Sequence, residues 1–166
     1  MTDLLALAKK VLKTLTERDL TLATAESLTG GLLGATITEV PGASKVYLGG
    51  AIAYTTPVKE SLLAVDHKEI EAFTVVSSQV ASGMASGIHD ATGADWCIAV
   101  TGVAGPDPSE GHDPGEVWIC VRGPQIGALP PAVHTQQFQF AGDRQAVRQA
   151  TVEGALSMLL RVLSPV

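Results

Sequence analysis

Apolar residues at Leu4, Leu5, Ala8, Val11, Leu12 and Leu15 recur every three or four positions across residues 3–17. That is the period of one helix face, so the pattern predicts an amphipathic helix. Residues 21–25 are short and β-prone and read as a strand. The pattern then turns to small residues: Thr29, Gly30 and Gly31 open a helix reaching about residue 37, and Pro41 with Gly42 marks a turn. Residues 46–55 are strongly apolar, carry two tyrosines, and read as a strand. Thr56 followed by Pro57 predicts an N-cap and a first helical position, for a helix running to residue 63. A short helix over 68–72 follows. The next, capped by Ser77 or Ser78, carries Val80, Met84 and Ile88 on one face. It also holds Gly83 and Gly87, which lower helix propensity, so close backbone packing is the expected compensation. Residues 96–100 and 117–121 read as buried strands, and the alternation of 133–140 suggests an edge strand. Residues 143–163 form a long final helix with Val147, Ala150, Thr151, Gly154, Met158 and Val162 inward.

This order predicts an α/β fold, a three-layer α/β/α sandwich whose sheet is mixed, parallel early and antiparallel late. The 166 residues suit one domain over 1–166, with no repeat and no linker. The run T-G-V-A-G-P-D-P-S-E-G-H-D-P-G-E over 101–116 is long for a compact domain. It follows a strand, where open α/β sheets bind ligands.

Composition narrows the classes. With 46% hydrophobic and 17% charged residues, intrinsic disorder is excluded. A net charge of −6 without any Lys/Arg run disfavours general nucleic-acid binding, which depends on neutralising phosphates. An anionic small molecule remains open where a few cations converge. No apolar stretch approaches the roughly 20 residues of a membrane span. The start M-T-D-L-L-A-L-A-K-K places its acid before its lysines, the reverse of a secretory leader. Cys97 and Cys120 each lie in an apolar run and read as reduced core residues of a cytoplasmic protein, a disulfide being the lesser alternative.

Four segments carry candidate chemistry. In A-E-S-L-T-G-G a strand ends, Ser27 follows, and Thr29, Gly30 and Gly31 offer backbone amides at a helix start. Such amides favour an oxyanion or a phosphate, and Ser27 is a nucleophile if a base lies close. The plainer use of Ser27 or Thr29 is as a helix cap. In Y-T-T-P-V-K, Lys59 falls in a first helical turn, where the helix dipole and any burial lower its pKa and fit it to act as a base. The alternative is a solvated lysine. In T-G-V-A-G-P-D, Thr101, Gly102, Ala104 and Gly105 form either an anion-binding or a structural turn. In F-A-G-D-R-Q-A-V-R, Arg144 and Arg148 are four apart on one helix face, suited to phosphate or simply to the surface. The histidines are scattered. Only Asp107, Glu110, His112 and Asp113 share a loop, and a solvated acidic loop is their plainer reading.

Together, in this order and spacing, these four motifs resemble the CinA C-terminal domain family, the nicotinamide-nucleotide amidohydrolases, over nearly the whole chain. The resemblance implies a three-layer α/β/α sandwich that hydrolyses the carboxamide of nicotinamide mononucleotide to nicotinate mononucleotide and ammonia, in pyridine-nucleotide salvage. It implies Ser27 as nucleophile, Lys59 as base and Tyr54 as the family's tyrosine, relaying or donating a proton. It implies no metal and no organic cofactor. Many relatives carry a further N-terminal domain resembling molybdopterin-binding proteins. This sequence lacks it, so the pyrophosphatase activity of that domain is not expected. One departure stands out. The family pattern Y-x-N-x-x-K has Thr56 here in place of Asn, which can cap a helix but has no amide N–H to offer.

The sequence therefore predicts an amidohydrolase with a Ser27/Lys59 dyad, oxyanion or phosphate donors at Thr29, Gly30 and Gly31, and nucleotide contacts from the loop at Thr101 to Gly105 and from Arg144 and Arg148. The competing expectations are a non-catalytic nucleotide-binding module acting through partners, and a metal hydrolase built on the acidic loop. The Ala/Gly-rich helix and the strand tyrosines suit a homo-oligomer, with a dimer expected.

Overall fold

The computed structural model describes residues 2–164. Asp3 caps α1 (Leu4–Glu17), its side chain accepting the Ala6 amide. The predicted stripe buries Ala8, Val11, Leu12 and Leu15. The strand β1 (Leu22–Glu26) is buried at every position, as a central strand covered on both faces must be. After it come α2 (Leu32–Thr38), a short 3₁₀ turn at Ala43–Lys45, and β2 (Tyr47–Ile52). Three helices follow: α3 (Thr56–Leu63), α4 (His67–Phe73) and α5 (Ser78–Thr92). Ser77 is the N-cap of α5, accepting from the Val80 amide. The chain ends with β3 (Trp96–Gly102), β4 (Glu116–Arg122), β5 (Val133–Gln139) and α6 (Arg144–Leu163).

The five strands form one sheet in the order β2-β1-β3-β4-β5. β1 pairs parallel with β2 and β3, whereas β3/β4 and β4/β5 are antiparallel. One face packs Ile98, Val100 and Ile119 against α1, α2 and α6. The other packs Ala23, Ala25, Cys97, Ala99 and Cys120 against α3, α4 and α5. The architecture is the expected three-layer α/β/α sandwich with a mixed sheet. β5 lies at the edge and is exposed along most of its length. Cys97 and Cys120 are buried and free. Burial pushes both thiols up to about 12, so they stay protonated.

Two local readings shift. Thr55, not Thr56, is the N-cap of α3, which moves Pro57 to the second helical position, and no side chain caps this end. The buried face of α6 also takes in Val152, Ala155, Leu156, Leu159 and Leu163, while Ala150, Gly154 and Val162 are only partly covered. The cause is α1, which packs beside α6 and covers a second flank that single-helix periodicity cannot anticipate.

The small residues of α5 have a packing reason. A Cβ built on Gly87 would meet the backbone of Leu63 at the end of α3, its carbonyl oxygen first and its carbonyl carbon at 2.7 Å. That contact seats α3, and with it Lys59, against the sheet.

Candidate active site

β1 is flanked by parallel neighbours on both sides, and its successors leave toward opposite faces: α2 to one, α3 to α5 to the other. A crevice at the carboxyl end of such a strand is where ligands of open α/β sheets bind. Ser27 is the first residue beyond that end. Its amide donates to Val100 O of β3 at 3.1 Å, while Ala53 N donates to Glu26 O at 2.8 Å, so both neighbouring strands fix its position.

Lys59 approaches from α3. It is only 1% exposed and is among the largest fully buried side chains. Its Nζ donates to Ser27 Oγ at 2.9 Å, to Ala53 O at 3.0 Å and to Tyr54 O at 3.2 Å. An ammonium has three N–H groups and finds three acceptors here. A neutral amine has two N–H groups and one lone pair. The two carbonyls then hold the N–H groups, and the lone pair faces the Ser27 hydroxyl. Burial lowers the Lys59 pKa from 10.5 to about 8, and the charge of Glu110 acts against that fall. The sequence attributed the lowering to the helix dipole as well as burial; desolvation is the cause that the structure supplies. At pH 7 roughly one molecule in ten then carries the neutral base.

A cavity of about 480 Å³ opens in front of the pair, within the range of small-molecule sites. Thr101, Gly102, Ala104, Gly105, Tyr54 and Arg144 line it. Arg144 reaches across from α6, donating to Gly105 O at 2.6 Å and to Tyr54 Oη at 2.8 Å. Tyr54 is 53% exposed, and its backbone carbonyl accepts from Ser27 Oγ and Lys59 Nζ. The Tyr54 hydroxyl is on the Arg144 guanidinium and makes no hydrogen bond to Ser27 or Lys59 among the described residues. Thr101 donates its hydroxyl to Val75 O at 2.8 Å, tying the end of β3 to the segment before α5.

Thr29, Gly30, Gly31 and Arg148 do not reach the cavity. Glu26, a buried acid, takes one of the amides expected to face a ligand, Gly31 N at 3.2 Å, together with Leu33 N at 2.8 Å, Gly34 N at 3.0 Å and the Thr29 hydroxyl at 2.6 Å. The Gly30 amide closes a turn onto Ser27 O. The helix start that favours an anion already holds one, supplied by its own chain. Arg148 donates to Thr29 O at 2.9 Å and to Gln145 Oε1, so it braces this turn. Leu28 follows Ser27 and lines the cavity, and its amide, like that of Thr29, donates to no group among the described residues. Sequence reasoning assigned no task to Glu26 or the Leu28 amide, although both lie inside the motif it singled out.

In the acidic loop, His112 bonds Thr74 and Glu116, and among the described residues no three His, Cys, Asp or Glu side chains are grouped to hold a metal ion.

This α/β sandwich carries a buried lysine on a serine at the carboxyl end of the interior strand β1. The CinA C-terminal domain matches residues 4–163, and the chain belongs to that family. A putative competence-damage inducible protein of Desulforamulus reducens is 42% identical over 144 residues, covering 87% of this chain and 34% of that protein. A CinA-like protein of Frankia casuarinae is 42% identical over 154 residues, covering 93% and 34%. The chain thus spans about a third of the length of these curated relatives. Among solved structures, a competence-damaged protein (CinA) superfamily protein from Klebsiella pneumoniae superposes with a TM-score of 0.92 at 30% identity, over 98% of each chain. The competence/damage inducible protein CihA from Agrobacterium tumefaciens superposes with 0.91 at 32% identity, over 99% of this chain and 98% of its own. No helix among the described residues is long and apolar enough to cross a membrane.

Proposed function

We propose that this chain is an amidohydrolase that converts nicotinamide mononucleotide to nicotinate mononucleotide and ammonia in pyridine-nucleotide salvage, in the cytoplasm. The observation that carries the proposal is the buried Lys59 Nζ, 2.9 Å from Ser27 Oγ, with two carbonyls occupying its other donors. Ser27 Oγ attacks the carboxamide carbon while its proton passes to Lys59 Nζ. The Leu28 amide is the available donor for the oxyanion, and one such donor is worth roughly 3 kcal/mol of barrier. The tetrahedral intermediate collapses by breaking the C–N bond, Lys59 returns the proton to the leaving nitrogen, and ammonia departs. Water then attacks the acyl ester, giving its proton to Lys59. The ester C–O bond breaks, and Ser27 regains its hydrogen. Water is the only co-reactant.

Tyr54 serves this reaction through its carbonyl, which orients Lys59, and its hydroxyl joins Arg144 at the nucleotide end of the cavity. Thr56 lines the cavity where the family carries Asn, which brings the non-catalytic binding module into the test. Ammonia release from nicotinamide mononucleotide is measured with and without a chelator. Release that survives chelation supports the dyad, and loss on chelation assigns a metal hydrolase. Retained binding without release assigns the binding module. The homodimer expectation stays part of the proposal, and a monomer mass in sedimentation equilibrium would remove it.

A further inference from the structure

Four charged side chains border the cavity: Lys59, Asp107, Glu110 and Arg144. Arg144 is engaged at one side by Gly105 O and Tyr54 Oη. Glu110 is the acid whose field reaches Lys59. Its backbone sits in the left-handed region with φ 49, a conformation that L-residues adopt only when their surroundings impose it. Its Oε2 accepts the Val75 amide at 3.3 Å, which leaves Oε1 for another partner.

The loop bearing Glu110 is fastened from several directions. Thr74 Oγ1 lies 2.6 Å from His112 Nε2, and His112 Nδ1 lies 2.7 Å from Glu116 Oε2. Ser109 and His112 exchange backbone hydrogen bonds of 3.0 and 2.8 Å. Thr74 itself has φ 65, a second imposed conformation at the same junction. The Thr101 hydroxyl holds Val75 from the other side. Glu110 is therefore an acid placed at a defined point, whereas Asp107 makes no side-chain hydrogen bond among the described residues.

We propose that Glu110 is the counter-ion for a cationic ring, so that the site selects N-substituted pyridinium carboxamides over neutral amides of the same shape. This rests on the amidohydrolase reading above. In such a substrate the ring nitrogen lies two ring bonds beyond the carbon bearing the carboxamide, so the group cleaved at Ser27 brings a positive charge beside Lys59. Without Glu110, a cavity holding Arg144 and a partly protonated lysine would repel that ring. With Glu110, the ring is held, and its charge disfavours the ammonium form of Lys59, which leaves more of the neutral base that the reaction needs.

The test uses dissociation constants on the Ser27→Ala protein, with nicotinamide mononucleotide and its 1,4-dihydro form, whose ring is uncharged. Adding Glu110→Gln should weaken binding of the oxidised nucleotide about fivefold, the upper scale of one opposite charge at an exposed residue, and leave the dihydro form within about twofold. Equal weakening of both, or no weakening of the oxidised form, overturns the proposal. A second readout needs no variant: 1-methylnicotinamide should compete about fivefold better than neutral nicotinamide for the wild-type protein, and equal competition overturns it. In Glu110→Gln alone, the acid limb of kcat/KM should move to lower pH, because the charge that holds the Lys59 pKa up is gone. An unmoved limb counts against it. Wild-type protein that neither binds nor hydrolyses nicotinamide mononucleotide removes the underlying reading, and this one with it. Wild-type hydrolysis with unchanged discrimination in Glu110→Gln removes this one alone.

Discussion

Lys59 has a donor count that suits both of its protonation states, and its burial decides between them. Its pKa of about 8 lies below the 10.5 of a free lysine because the buried site disfavours charge. The base form is the deprotonated one, so kcat/KM should rise with pH through about 8 and level off above it. The stability term has the same sign. Between about 8 and 10.5 the unfolded chain holds the Lys59 proton more tightly than the folded one, so this residue's contribution to stability rises with pH across that window. Urea titrations at pH 8 and pH 10, compared between wild type and Lys59→Met, isolate it. Lys59→Arg keeps a cation that does not deprotonate, so it should be nearly as inactive as Lys59→Ala. Substantial activity in Lys59→Arg with the same acid limb would make Lys59 an electrostatic anchor. Ser27→Ala should abolish turnover while shifting stability by no more than about 1 kcal/mol, since Ser27 caps no helix here and Lys59 keeps two carbonyl acceptors. Comparable losses of activity and stability would argue against a nucleophile.

Among the elements, the start of α2 shows what a sequence can and cannot disclose. The motif around Ser27, the glycines after it and the helix that follows were legible, because a strand end, turn residues and a small-residue run each have a local signature. The acceptor that takes the helix-start amides was not. Glu26 is on the strand, five to eight residues before the amides it binds, and only the turn of the chain brings it back. Gly31 permits that turn with φ 105, where a side chain would also press on Ile52. Glu26→Ala should cost about 3 kcal/mol, because it leaves buried donors unpaired, and it should lower Tm before it alters KM. An unchanged Tm would show that water replaces the carboxylate. The two arginines of α6 were equivalent as letters, yet only Arg144 reaches the cavity, because Arg148 lies one turn on and meets Thr29 O first. Arg144→Ala should raise KM for the nucleotide more than for the phosphate-free riboside, and equal effects on both would take phosphate away from this residue.

Over the whole molecule, the helix layers matter to the site because its two central residues come from different elements. Ser27 is fixed by β2 and β3, whereas Lys59 travels with α3, whose position depends on α5. The sequence marked α5 as a helix needing close contact, but not the partner: the contact at Gly87 is with Leu63, the last residue of α3, two helices earlier. Gly87→Ala tests this coupling against Gly83→Ala on the same helix. A Cβ at position 83 finds Val65 at 3.5 Å, an ordinary contact, and alanine's helix propensity should make that variant neutral or up to about 1 kcal/mol more stable, with unchanged kcat. A Cβ at position 87 meets backbone, which cannot rotate away, so α3 must shift. The cost should be about 1–3 kcal/mol, with a fall in kcat of tenfold or more, because the Ser27 to Lys59 hydrogen bond lengthens while the cavity's other walls stay in place. Denaturant melts and steady-state kinetics on the two variants read both quantities. Equal kinetics in the two would show that the packing of α5 does not set the position of the lysine.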